Sequence, residues 1–201
     1  MRLGVDFDNT IVRYDDVFGR IARDRGLIPP DLPPHKQSVR DHLRGNGMEE
    51  AWIHLQGEVY GPGMRHALPF DGVLEALAAF RAAAIPVYII SHRTKFPYRG
   101  PRHDLHAAAG AWIRTMGESA GSSAGLDLDG VYFELTKEAK LDRIRQCGCT
   151  HFIDDLPEFL SHPDFPAGIE RLLFDPAQTC RDTGGVRPFG SWRRIREHLL
   201  Q

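Results

Sequence analysis

Three hydrophobic runs in this 201-residue sequence end in side chains that could do chemistry, and a lysine stands before the last of them. Leu3, Val5 and Phe7 form a run that presents Asp6 and Asp8 at its end, with Asn9 and Thr10 just beyond. "VYII" ends at Ser91, followed by His92 and Arg93. "HFI" ends at Asp154 and Asp155, and Lys137 or Lys140 precedes it. Two carboxylates two residues apart at a strand end repel each other and lose hydration. Taken singly, Asp6/Asp8 also reads as a turn pair, and Asp154-Asp155 as the start of a helix over "LPEFL". Taken together, four acids beside one sheet edge require a cation to reconcile them.

The elements that would position these residues alternate between strand-like and helix-like, which predicts an α/β protein. The expected strands are Arg2–Phe7, Val87–Ser91, Gly130–Glu134, His151–Asp154 and Arg171–Phe174. In a parallel sheet, ligands bind beyond the carboxyl ends of the strands, near the point where strand order reverses. About 80 residues separate the first two strands, far more than one crossover helix needs. Their second half predicts a helix from Val73 to Ala83 capped by Asp71. Their first half predicts short helices at Asp16–Arg25, Lys36–Arg44 and Met48–Val59, with proline and glycine at the joints. Residues 14–68 are therefore expected to form a helical cap inserted into a core of residues 1–13 and 69–201. Beyond the basic segment after Ser91, a helix carries Leu105, Ala109, Trp112 and Ile113. Glu118–Gly125 reads as a connector, and Ser191 as the cap of a last helix, Trp192–Leu200.

Composition narrows the class. Hydrophobic residues make up 42% and charged ones 26%, a globular balance. A formal net charge of −2 gives no overall basic field to attract nucleic acid or an acidic membrane. The longest apolar region, Val73 to Ile90, is broken by Glu75, Arg81 and Pro86 and is no membrane span. The sequence enters a strand at once, with no leader pattern, so the expectation is a cytoplasmic protein. Cys147, Cys149 and Cys180 form no zinc pattern and read as buried or incidental thiols.

In this order, Asp6-x-Asp8-x-Thr10, Ser91, a lysine and Asp154-Asp155 resemble the haloacid dehalogenase superfamily of phosphotransferases and phosphohydrolases. The resemblance covers most of the chain and places the inserted helices where the family carries one type of cap. It implies a Rossmann-like parallel sheet of strand order 3-2-1-4-5. It also implies roles: Asp6 as nucleophile, forming an aspartyl-phosphate, and Asp8 as the group that protonates the leaving alcohol and deprotonates water. Ser91 would bind a phosphoryl oxygen, with Lys140 as the phosphate-site lysine and Lys137 as the alternative. Mg²⁺, which takes oxygen ligands, would be held by Asp6, the Asp8 main-chain carbonyl and Asp154, with Asp155 assisting. Thr10 is expected to support the turn, orient Asp8 and belong with the substrate-binding residues. His92 and Arg93 are expected to meet a second anionic group of the substrate. The dehalogenase branch lacks the second aspartate and does without metal, so Asp8 points to phosphate-ester hydrolysis.

The resulting expectation is a Mg²⁺-dependent phosphatase for a small phosphate monoester, a sugar phosphate or related metabolite, with no nucleic-acid or membrane partner. A nucleotide 5′-phosphatase, phosphoryl transfer to another alcohol, and a non-catalytic protein retaining the fold are the alternatives. Oligomeric state is not legible in the sequence.

Overall fold

Short aliphatic and β-branched runs separated by amphipathic helices give this chain an α/β architecture. The computed structural model describes residues 1–119, 126, 128–178, 180 and 186–201. Residues 120–125 of the connector expected at Glu118–Gly125 lie outside the described residues. In chain order the elements are β1 (Leu3–Val5), β2 (Val12–Arg13), α1 (Asp15–Asp24), α2 (Lys36–Gly45), α3 (Glu49–Tyr60), β3 (Leu68–Pro69), α4 (Val73–Ala82) and β4 (Val87–His92). There follow α5 (Leu105–Ser119), β5 (Gly130–Glu134), α6 (Lys137–Gln146), β6 (His151–Asp154), α7 (Pro157–Leu160), β7 (Glu170–Phe174), β8 (Arg187–Phe189) and α8 (Trp192–Leu199). A 3₁₀ turn, Pro62–His66, lies between α3 and β3.

The chain divides into two units. The first comprises Met1–Val12, Pro69–Arg93 and Gly117–Gln201; the second comprises Arg13–Leu68 and Thr94–Met116. In the first, the described strands form a six-stranded sheet in the order β5-β4-β1-β6-β7-β8, with every pairing parallel. Counted along this sheet the order is 3-2-1-4-5-6: the expected order, with β8 added at the edge. Strand order reverses at β1, so the crevice beyond β1 and β6 is the place for a ligand.

Alternation along the strands sends side chains to the two faces in turn. Ile90, Phe152 and Leu173 face a core with Leu141 and Ile144 of α6 and with Phe159 and Leu160 of α7. Phe174, next along β7, points the other way and meets Trp192 of α8 at 5.9 Å between ring centroids. Gly4 permits a close approach within the first of these layers. A methyl on it would lie 2.5 Å from Cδ2 of Phe152, its lateral neighbour in β6.

The entry to α4 departs from expectation. Gly72, not Asp71, is the capping residue, and no side chain caps the helix. The chain turns into α4 through the positive φ of Gly72, 81°, which leaves Asp71 one residue too early. Ser191 does cap α8, and Thr136 caps α6 by accepting from the Ala139 N–H at 3.1 Å.

The second unit has its own core. Phe18 and Trp52 stack at 5.2 Å, and Tyr60 packs edge-on against Tyr14 and Phe18. Its members extend beyond the inserted helices to the segment after Arg93 and most of α5. Gly57 of α3 seats this segment: a methyl there would lie 2.9 Å from Cβ of Pro97. The Trp112 indole N–H donates to the Ala67 carbonyl at 2.9 Å. Residues 13–68 of the unit balance eight Lys and Arg with eight Asp and Glu, so its basic excess comes from the segment after Arg93, with four against one. Among the described residues, no helix is long and apolar enough to cross a membrane.

Candidate active site

The register of β1 on β6 explains why Asp6 and Asp154 meet. Gly4 pairs with Phe152 and Val5 with Ile153, and the ladder continues when the Asp6 N–H donates to the Ile153 carbonyl at 2.8 Å. Two residues past Gly4 and Phe152 on the same face, Asp6 and Asp154 are therefore lateral neighbours. Lys140, on the first turns of α6, reaches between them. Its ammonium donates to Oδ1 of Asp6 and Oδ2 of Asp154, each at 2.6 Å. The three are almost sealed from solvent, at 5%, 0% and 2% exposure for Asp6, Asp154 and Lys140. Behind the ammonium lie the faces of Phe159, at 4.1 Å, and Phe152, at 5.4 Å. Lys137, the alternative lysine, is exposed at the start of α6.

The turn after β1 places the next acids. Asn9 adopts a left-handed conformation with φ 58°. The Ile11 and Val12 N–H groups both return to the Phe7 carbonyl. Buried Thr10 faces Asp155, donating its hydroxyl to Oδ1 at 3.2 Å, while its carbonyl accepts from the Trp192 indole. This corrects the expected partner of Thr10. The reversal at Asn9 carries the hydroxyl toward β6, and Arg93 takes the Asp8 carboxylate instead. Arg93 Nη1 donates to Oδ1 of Asp8 at 2.5 Å. Arg93 is 5% exposed, anchored where its N–H extends the β4–β5 ladder to the Glu134 carbonyl. Asp154 Oδ1 also accepts from the Leu156 N–H, but α7 starts from Leu156 with no side-chain cap, so neither Asp154 nor Asp155 is the helix cap its position suggested.

Ser91 is buried on β4, the strand beside β1. His92 is exposed, with Nε2 3.2 Å from the Leu135 carbonyl oxygen, and does not join the acids. The aromatic wall behind Lys140 and the Arg93–Asp8 pair escaped the sequence reading. The second had a signal: Arg93 follows Ser91 at the same two-residue interval that separates Asp6 from Asp8.

Burial pushes the Asp6 carboxyl up to about 7; Lys140 opposes the rise, and Asp154 and Asp8 add to it. Burial disfavours the Lys140 ammonium, but Asp154 and Asp6 outweigh it and raise its pKa above the ordinary lysine value. The lysine is therefore a fixed cation.

Carboxylate oxygens of Asp6, Asp154 and Asp155 lie within 4.8 Å of one another, the one such group among the described residues. The Asp8 carboxylate is outside this trio; the expectation for Asp8 as a ligand concerned its main-chain carbonyl. With all four acids ionised, Lys140 and Arg93 would leave two negative charges. One divalent cation with oxygen ligands would cancel them, so the donor set fits Mg²⁺.

Comparison of the sequence with family models gives no match, and comparison with curated proteins gives none either. Solved structures do match along the whole chain. A HAD-superfamily hydrolase from Ehrlichia chaffeensis is 14% identical with a TM-score of 0.57, covering 100% of this chain and 96% of that one. The fold is that of the haloacid dehalogenase superfamily. An L-2-haloacid dehalogenase of this fold is 12% identical with a TM-score of 0.57, over 100% of this chain and 98% of the other. A D,D-heptose 1,7-bisphosphate phosphatase from B. bronchiseptica, complexed with magnesium and phosphate, is 14% identical with a TM-score of 0.56, over 100% and 99%.

Proposed function

We propose that this protein is a Mg²⁺-dependent phosphatase that hydrolyses a small phosphate monoester, such as a sugar phosphate, through an aspartyl-phosphate on Asp6. The observation that carries this reading is the charge pattern: four acids, two buried cations and an oxygen-lined trio with two charges to be cancelled. Proteins of this fold include dehalogenases as well as a phosphatase, and Asp8 favours the phosphatase chemistry because hydrolysis of an ester needs a proton carrier beside the nucleophile.

Mg²⁺ held by Asp6, the Asp8 carbonyl, Asp154 and Asp155 would supply neutralisation of the anionic ester. The residues of the chain supply the rest. Lys140 holds Oδ1 of Asp6 and adds positive charge where the phosphoryl group arrives. An Asp6 oxygen bonds to phosphorus as the ester P–O bond breaks, and Asp8 gives its proton to the leaving alkoxide. Water then attacks phosphorus and passes its proton to Asp8 as the Asp6–phosphorus bond breaks, releasing phosphate and restoring both acids.

Phosphate release from sugar phosphates, nucleotides and aryl phosphates tests the reading. Turnover with Mg²⁺ is expected, silenced by EDTA and restored by Mg²⁺. Asp6→Asn should lower kcat by about 10³-fold or more with an unchanged circular-dichroism spectrum. Inactivity on the whole panel, or substantial turnover by Asp6→Asn, would reject it.

A further inference from the structure

We propose that Arg93 is a positioning residue for Asp8 and serves the second half of the reaction, the hydrolysis of the phosphorylated Asp6. The inference rests on the proposed phosphatase reading and goes beyond it in assigning Arg93 to one step. Arg93 is an unusual investment for a substrate contact, because its guanidinium is buried and already engaged: Nη1 lies 2.5 Å from Oδ1 of Asp8. The pair is lopsided in solvation, with 4% of the arginine side chain exposed and 24% of the aspartate. The arginine is thus the fixed member. It leaves the end of β4 with its N–H tied to the Glu134 carbonyl, and its guanidinium carbon lies 5.9 Å from the centre of the Phe7 ring. Asp8, on the turn after β1, is the member being held.

The buried guanidinium fixes the direction of the Asp8 oxygen that it holds. In the first half-reaction the leaving oxygen is part of the bound ester, whose covalent frame sets its direction. In the second half the attacking water has no covalent frame to hold it, so the Asp8 oxygen that accepts its proton must itself be fixed in direction. The water O–H bond breaks toward Asp8, the oxygen bonds to phosphorus, and the phosphorus–Asp6 bond breaks.

The test is rapid-mix kinetics of the full-length protein with Mg²⁺ and p-nitrophenyl phosphate, whose leaving group departs as an anion and needs no proton. In Arg93→Met, steady-state kcat is expected to fall about 10²-fold. A burst of nitrophenolate near one equivalent per active site should precede the slow phase. Intact mass spectrometry of acid-quenched samples should show protein carrying one phosphoryl group, absent in Asp6→Asn. Arg93→Lys keeps the charge without the planar fork, and should show a smaller burst and an intermediate rate. It also carries the test should the methionine variant not fold. A rise in KM with no burst would instead assign Arg93 to gripping the substrate and overturn the proposal, as would unchanged kinetics. Absence of phosphatase activity in the unsubstituted protein would remove the phosphatase reading itself, a result distinct from either.

Discussion

Asn9 shows how much of this site depends on one backbone conformation. Its φ of 58° lets the chain reverse after β1, bringing Thr10 to Asp155 and leaving Asp8 to Arg93. Asparagine tolerates the left-handed region, whereas a β-branched residue does not. Asn9→Val should cost about 1–2 kcal/mol in urea denaturation, while Asn9→Gly should leave stability nearly unchanged. Asp6 carries a second prediction. Burial raises its carboxyl to about 7 in the metal-free protein, well above the ordinary aspartate value of 3.8. A raised carboxyl pKa means the folded state holds the proton more tightly. Metal-free stability from this group is therefore full below about pH 4 and lost as pH rises toward 7. Mg²⁺ requires the ionised form, so its apparent affinity should tighten from pH 6 to pH 8, with proton release detectable by calorimetry in buffers of different ionisation enthalpy. Acids at strand ends were legible because each interrupts a hydrophobic run. Their pairing was less so, since the partner of Thr10 depends on a turn conformation that residue types alone leave open.

Among elements, β1 is the pivot, and Gly4 is its tightest point. Phe152 packs against Phe159 and Phe165, with ring centroids at 6.0 and 6.1 Å, which limits how far it can yield. Gly4→Ala should destabilise the protein by about 1–3 kcal/mol, the range of overpacked cores, as read by urea denaturation. Because the same ring backs Lys140, kcat should fall as well. The inner strands could be read in the sequence from their apolar runs and acidic ends. β8 could not: two of its three residues are exposed, and Pro188 within it argues against a strand. Asp71 was an attractive cap by type, but the positive φ of Gly72 decided where α4 begins. The membership of the 94–116 segment in the second unit rests on contacts such as Pro97 against Gly57, which link residues far apart in sequence.

For the whole molecule, the thiols report on global opening. Cys147 and Cys149 are buried in the core that holds Phe152, whereas Cys180 is partly exposed. Burial pushes the Cys149 thiol up to about 12. Alkylation at pH 8 followed by mass spectrometry should therefore show one fast thiol, Cys180, and two slow ones that react only as the protein unfolds. The folded thiol is harder to ionise than the unfolded one, so its contribution to stability is intact below about pH 9 and is lost as pH climbs toward 12. Thermal melts across that range should fall less steeply for Cys149→Ala. The central strand also sets a schedule for biosynthesis. β1 emerges first from the ribosome, yet its neighbours are β4, which begins at Val87, and β6, which begins at His151. At about 5–20 residues per second, its second partner is made on the order of ten seconds later. Throughout that interval the most deeply buried strand of the protein is unpaired, and the two aspartates that hold Lys140 belong to different stages of the same nascent chain.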